Sequence, residues 1–446
     1  MSEAAFDPRE RLADLLVHAR AAGADEADAV FFSGTSLSVS RRLGKIEHVE
    51  RSEGRDLGLR VFVGARSAIV SAPGLDVASF GDIAARAVAM ARVVPADAMS
   101  SLGELREIPP ADLDLDDPAE PDATALGERA ALAEDAALAV SGITNTEGSD
   151  AGFSRSEAVL VTSRGFVGAY RRSGHSISAT ALAGSGTAMQ RDYDYSSAVH
   201  LADLDDAAGI GRRAAERALA RINPGRPKTA RMTVVYDPRV SASLIGHLAG
   251  AVNGAGIVRG TSFLRESMGQ RVFAEGITVR DDPRRRRGLR SRPFDGEGQP
   301  TAPLDIIAGG VLQSWILDTR SARQLGLATT GHAARGTSGP PGPSTTNLYM
   351  EPGALTPAAL MADITEGLYV TELIGSGING ITGDYSRGAA GFMIRNGALA
   401  EPVAEITIAG NLREMFARLT PANDLRFVRG TDAPTIRIDG MMIAGA

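Results

Sequence analysis

Leu12, Leu15, Leu16 and Ala19 recur at the i, i+3, i+4, i+7 spacing of one buried helical face, which predicts a first helix over residues 8–22. Asp7 followed by Pro8 reads as its N-cap and first position, and Gly23 as its stop. The period then drops to two. Short β-rich runs at 29–33, 37–41, 46–51, 58–63 and 68–71, separated by turn residues, predict strands. Leu37 and Val39 alternate with Ser38 and Ser40, giving one buried and one wet face, and a hairpin turns at Leu43-Gly44-Lys45. An Ala-rich amphipathic pattern predicts a second helix over 77–93. Helices over 122–140 and 204–222 bracket further strands at 157–163, 165–171, 175–183 and 190–199.

Two stretches break this pattern. Residues 95–122 hold Pro95, Pro109, Pro110, Pro118 and Pro121 with acidic residues at 112–117, and read as an irregular linker. Residues 223–227 (Asn-Pro-Gly-Arg-Pro) end the fourth helix and set a domain boundary, giving domains 1–225 and 226–446. Beyond it Gly and Pro rise, and helices are predicted only near 240–252, 357–364 and 412–419. Short β runs at 306–316, 344–350, 368–373, 390–395, 404–408 and 435–443, with Gly-rich turns, predict a barrel-like, strongly curved β domain. The fold class is therefore α+β: an N-terminal sheet-and-helix domain followed by a barrel-like β domain. No repeat of fixed period is present.

Composition narrows the chemistry. Formal net charge is −7, which argues against nucleic acid or an acidic membrane as partner. Lys45 and Lys228 are the only lysines, a bias toward arginine that composition alone accounts for. There is no cysteine, so disulfides, thiolate ligands and Cys nucleophiles are excluded together. Residues 1–10 carry no apolar stretch of signal-peptide type, and no apolar run approaches the ~20 residues of a membrane span, so a soluble cytoplasmic protein is expected.

Most familiar motifs fail. Gly375-Ser376-Gly377-Ile378-Asn379-Gly380 matches G-x-G-x-x-G after a strand-like run, but residues 381–392 are Gly- and turn-rich and cannot open the helix a dinucleotide site needs. The motif reads as a Gly-rich loop between strands. Neither a P-loop nor a G-x-S-x-G elbow occurs. His18, His48, His175, His200, His247 and His332 are all more than 20 residues apart, whereas a catalytic zinc usually takes two ligands from one short segment. His332, in a Gly- and Ser-rich loop, is the least ordinary of them. Four arginines at 284–287 form either a basic patch or a solvated turn neutralised by Asp281 and Asp282. Asp295 and Glu297 are either paired carboxylates for acid–base work or polar caps of a turn.

Longer patterns carry a resemblance. GIVRGTSFLRESMGQRVF (256–273), the DDP…GLRS…PFDGEG block (281–298), GLYVTELIGSGINGITGDYSRGAAGFMIRNG (367–397), PVAEITIAGNLREMF (402–416) and NDL (423–425) resemble, in order, the TldD/PmbA family, as does GLRVFVG at 58–64. Met268 stands where the first pattern has Leu. The resemblance covers nearly the whole chain. It implies two branches: a TldD-like peptidase branch with a helical H-E-x-x-x-H motif and a Cys ligand, and a PmbA- or TldE-like branch without them. Aligned on the G-T-S block, the motif falls in SLIGHLAGAVNG, where Ile245 and Gly250 stand at the His positions and Gly246 at the Glu position. His247 is out of register. Without those groups no water is activated and no general base sits beside it.

The resemblance therefore implies a metallopeptidase family member active only with a TldD-like subunit. No metal is expected in this chain and zinc is expected in the partner; unfolded or flexible peptides are the substrates. The chain would close the chamber, or hold substrate as a strand added to a sheet edge. Asn379, Thr382, Asp384, Tyr385 and Ser386, with His332 and Asn347, are the candidate peptide or partner contacts; the other reading of the first group is turn capping. Two alternatives stay open. One is a self-associating regulatory protein, homodimeric and linked to gyrase modulation or a toxin–antitoxin system. The other is a peptidase using His332 with Asp295 or Glu297.

Overall fold

A computed structural model describes residues 7–445. Residues 1–6, which make up most of the stretch that bears on a leader, and Ala446 lie outside them.

The first half is one antiparallel sheet with helices on one face. Helix α1 (Pro8–Ala21) is capped by the Asp7 carboxylate. Strands β1 (Glu26–Arg42), β2 (Lys45–Val63), β3 (Arg66–Pro73), β4 (Ile143–Thr162), β5 (Val167–Ala183) and β6 (Gln190–Ala198) pair in the order β3-β2-β1-β4-β5-β6. The β1–β2 turn falls where expected, with Leu43 and Gly44 both at positive φ. The sheet is longer than the pattern predicted. The runs at 29–33 and 37–41 fuse into β1, because Gly34 sits opposite Gly54 inside a continuous ladder instead of in a turn. The polar start of β4, residues 143–156, also pairs, with β5 along its length and with β1 from Ser149 on.

Alternation along β1 then decides the layers. Ala27, Ala29 and Phe31 face α1 and α2 (Phe80–Val93), and Val39 on the same side faces α3 (Ala123–Leu138) and α4 (Ala207–Ala220). The opposite side presents Asp28, Val30 and Phe32 to the second half, where Val30 packs with Leu160, Phe166 and Phe294.

The second half opens with β7 (Ala230–Tyr236), a strand the sequence pattern missed, and α5 (Pro238–Ala251). A short helix α6 (Gly254–Val258), strands β8 (Val279–Asp281), β9 (Leu304–Ala308) and β10 (Val311–Leu312), and helix α7 (Thr319–Gln324) follow. Then come β11 (Ala333–Ala334), β12 (Gly342–Pro343), β13 (Leu348–Met350), α8 (Pro357–Met361), β14 (Glu366–Ile378), β15 (Asp384–Arg395), β16 (Ala398–Asn411), α9 (Leu412–Arg418), β17 (Thr420–Pro421), β18 (Thr431–Asp432) and β19 (Ile436–Ala444). Strands β16-β15-β14-β7-β19 run side by side, and β16 pairs back onto β19 through Ile408 and Ile443, closing a five-strand barrel. The expected α+β class and barrel-like second half therefore hold. A second sheet, β10-β9-β8-β13-β18, was not anticipated. Leu244, Ile245 and Leu248 of α5 share one core with Val234 and Leu368 of the barrel and Val279, Ile307 and Leu348 of that sheet.

The 95–122 stretch is irregular but not loose. Leu102, Leu113 and Leu115 are buried, and the arginine run fastens it down. Arg286 and Arg287 pair with Asp114 at 2.7 and 2.6 Å, and Arg287 also with Asp203. The aspartates that neutralise the run are thus not the adjacent Asp281 and Asp282. Only the fold brings Asp114 and Asp203 within reach.

Candidate functional site

Helix α5 positions the candidate site. Asp237 caps its first turn and Pro238 stands inside it. Its buried face is Ser241, Ala242, Leu244, Ile245, Leu248 and Ala251. The other face shows Gly246 and Gly250, one turn apart, where an added Cβ would meet nothing within 4 Å. His247 lies between them, its ring 6.0 Å from that of Tyr385. Burial, then the charge of Arg387, push this imidazole down to about 4, so it is neutral at pH 7. Tyr236 and Tyr385 come from the barrel strands and are fully buried. Burial raises both phenols, Tyr385 to about 12.

This surface offers one half-buried neutral imidazole and a guanidinium, while the two phenols lie beneath it in the barrel core. A dication does not fit it. Ile245 is a fully buried hydrocarbon, Gly246 and Gly250 have no side chain, and Arg387 would repel a cation beside His247. Among the described residues, no group of three or more His, Asp or Glu side chains is arranged to hold a metal.

Beside α5 rises the β14–β15 hairpin, whose tip carries most of the sequence-selected residues. Asn379 Oδ1 accepts from the backbone N–H groups of Ile381 and Thr382 at 2.9 and 3.2 Å. The Thr382 hydroxyl donates to Asp384 at 2.6 Å, and Asn411 Nδ2 donates to the Thr382 carbonyl and to Asp384. These groups lock the turn. Tyr385 points into the barrel and Ser386 outward. The tip also exposes two large apolar residues, Ile374 at 58% and Ile381 at 62%, that no internal contact explains. The Gly380 carbonyl accepts from Phe263 N–H at 2.8 Å, tying the tip to the G-T-S segment.

His332 and Asn347 are elsewhere and buried. His332 lies between Asp281 (3.0 Å) and the Thr330 carbonyl (2.8 Å), and Asp281 also accepts from Thr346 N–H. Asn347 accepts from Arg290 N–H and donates to the Asp282 carbonyl and Ser291 hydroxyl. The seven candidates therefore do not converge on one site. The sequence reading also missed a pairing: His175 and His200 both approach Asp117, at 3.1 and 3.8 Å.

Asp295 and Glu297 adopt the capping arrangement. Asp295 accepts from the N–H groups of Glu297, Gln299 and Ala333 at 2.9, 2.9 and 3.0 Å. Glu297 accepts from Thr319 N–H at 2.8 Å, and burial, then the Asp295 charge, push it up to about 7. A carboxyl that holds its proton more tightly when folded stabilises the fold below its unfolded pKa. That contribution fades as pH rises through the folded value. Glu297→Gln, which mimics the protonated form, should therefore match the wild type in urea unfolding at pH 4.5. At pH 8 it should exceed it by about 3 kcal/mol. Equal pH dependence of the two proteins would contradict the burial argument.

Comparison with known proteins places this geometry. The models for PmbA/TldA metallopeptidase domain 1, central domain and C-terminal domain match residues 27–91, 108–222 and 229–445. Metalloprotease PmbA of Escherichia coli O157:H7 is 36% identical over 425 residues, 94% of this chain and 92% of that one. The Haemophilus influenzae PmbA homolog is 33% identical over 418 residues, 92% and 90% of the two chains. Among solved structures, a putative modulator of DNA gyrase from Bacteroides thetaiotaomicron superimposes with TM-score 0.89 at 27% identity, covering 98% of this chain and 99% of that one. TldE from Thermococcus kodakarensis gives 0.88 at 22% identity, over 98% and 100%.

Proposed function

The chain belongs to the PmbA/TldD metallopeptidase family, and from that membership we propose that it is the non-catalytic subunit of a heteromeric peptidase of TldD/TldE type. One observation carries the reading. The α5 positions that the resemblance assigns to two imidazoles and a carboxylate hold Ile245, Gly246 and Gly250, none with a side-chain nitrogen or oxygen. Metal and general base then come from a TldD-like subunit, and this chain shapes the cleft for unfolded or flexible peptides in the cytoplasm. No described helix is long and apolar enough to cross a membrane.

Two surfaces suit the role. The hairpin tip with Ile374 and Ile381 is apolar and exposed, as a partner contact requires. Residues 45–55 of β2 extend beyond β3, which pairs only with 56–63, so their outer edge can receive an extended peptide. The test mixes this chain with a family member bearing H-E-x-x-x-H and follows cleavage of a flexible peptide. Neither zinc nor its chelation should give the chain alone any activity, and the mixture should exceed the partner alone by at least tenfold. Chelator-sensitive cleavage by this chain alone would sink the proposal. Recovery of only the chain itself from its own cells would favour the self-associating reading. Ile381→Asp should weaken the heteromer at least tenfold in sedimentation while leaving this chain folded.

A further inference from the structure

Between the two halves, on the side of the first sheet away from its helices, lies a cavity of about 110 Å³. Its walls include Phe32, Leu160, Tyr170 and Phe294, with Arg292 and Arg335 among them. The aromatic wall is ordered: the rings of Tyr170 and Phe294 meet edge to face at 5.4 Å. Arg335 has a side chain only 1% exposed and uses Nη1 on Asp28 at 2.6 Å. Its Nε and Nη2 atoms are buried without a hydrogen-bond partner. Arg292 likewise buries Nε and Nη2 without a partner. In each guanidinium the unpartnered pair is one edge of the fork, the edge that takes a carboxylate through two parallel N–H···O bonds. Buried donors left unmade are costly, and because both arginines line the same cavity, one acceptor bound there would relieve both.

Asp295 is also on the cavity wall and feels the charge of Arg292, but no carboxylate of the protein hydrogen-bonds the two free edges. Asp28 is held by Arg60 and Arg335, Asp295 by three backbone N–H groups, and Glu297 by Thr319 N–H. Arg172 adds positive charge near Arg292. We propose that this cavity binds a carboxylate carried on a small apolar or aromatic body, gripped by Arg292 and Arg335 and packed against Phe294 and Tyr170. A free aromatic acid and the C-terminal residue of a peptide share that chemistry. The site stands independently of any partner subunit.

Calorimetry on the full chain tests it with phenylacetate, phenylacetamide, and an acetylated Gly-Phe dipeptide as free acid and as amide. The acids should bind and raise the unfolding temperature, and the amides should not. Tighter binding of the dipeptide acid assigns the site to a chain terminus; tighter phenylacetate assigns it to a free acid. Arg335→Gln would also strip Asp28 of a partner, so the informative variant is Arg292→Gln. It should weaken the acids at least tenfold while the ligand-free protein stays folded, and Arg292→Lys should restore only part. Equal binding of acids and amides, unchanged affinity in Arg292→Gln, or a high-resolution structure grown with phenylacetate that shows only water on the two guanidinium edges would each overturn the assignment.

Discussion

Asp28→Ala is expected to cost about 3–5 kcal/mol of stability, as for other broken buried ion pairs. Asp28 is wholly buried on β1, amid the run Ala27, Ala29, Val30 and Phe31. It accepts from Arg60 Nε at 3.0 Å and from Arg335 Nη1 at 2.6 Å. Burial alone would raise its pKa, but Arg335 and Arg60 together outweigh burial and hold the carboxyl below its ordinary value. A depressed folded pKa means stability that is present above the unfolded pKa and lost as pH falls through the folded one. Removing the carboxylate strands the buried Arg335 guanidinium and leaves Arg60 only the longer contact with Glu297 at 3.9 Å. Arg60 lies on β2 and Arg335 just beyond β11, so the loss falls on the contact between the two halves. Gly58 marks how close that contact is, since a Cβ there would lie 2.4 Å from the Thr337 carbonyl oxygen. Chemical unfolding of Asp28→Ala beside the triple variant Asp28→Leu, Arg60→Met, Arg335→Met separates charge from packing. The apolar triple should recover most of the loss. A wild-type midpoint for Asp28→Ala would refute the role given to the triad.

Gly211→Ala and Gly246→Ala are expected to move stability in opposite directions, although both are glycines within helices. Gly211 of α4 abuts α3 so closely that a Cβ would stand 1.9 Å from the Ala133 carbonyl oxygen and 3.0 Å from Ala137 N. That interface is built from small residues, Ala130, Ala133 and Ala137 against Ala214, Ala215 and Ala218. A methyl group there must push two backbones apart, and the expected loss is about 3 kcal/mol. Gly246 of α5 has open space at the same atom. Alanine there should gain about 0.5–1 kcal/mol from helix propensity alone. Urea titrations of both variants decide it; the same sign for the two would show that backbone approach does not govern these sites.

The periodic elements were legible because their patterns are local. Helix α1 could be placed from Leu12, Leu15, Leu16 and Ala19, and the β1–β2 turn from Leu43-Gly44. Strand β7 was passed over although Thr233–Tyr236 is β-rich, because a short apolar run says little until its neighbours are known. Residues 143–156 carry too much Ser, Gly and Asp to look like strand, and they extend because β5 pairs along them and β1 joins from Ser149 on. Asp28 gave one overlooked signal, a lone acid inside an apolar strand.

By itself, the sequence determined the α+β class, the family and the lack of metal-ligating side chains at 245, 246 and 250, because each depends on residue identity or local period. The tertiary structure alone decided barrel closure, the pairing of Arg286 and Arg287 with Asp114, and the burial of His332 and Asn347 away from the hairpin tip. It alone also brought Asp28, Arg60, Arg292 and Arg335 to one seam. The physical reason is that these are contacts between residues far apart in the chain. Long-range pairing and burial fix them, and no spacing along the sequence records them.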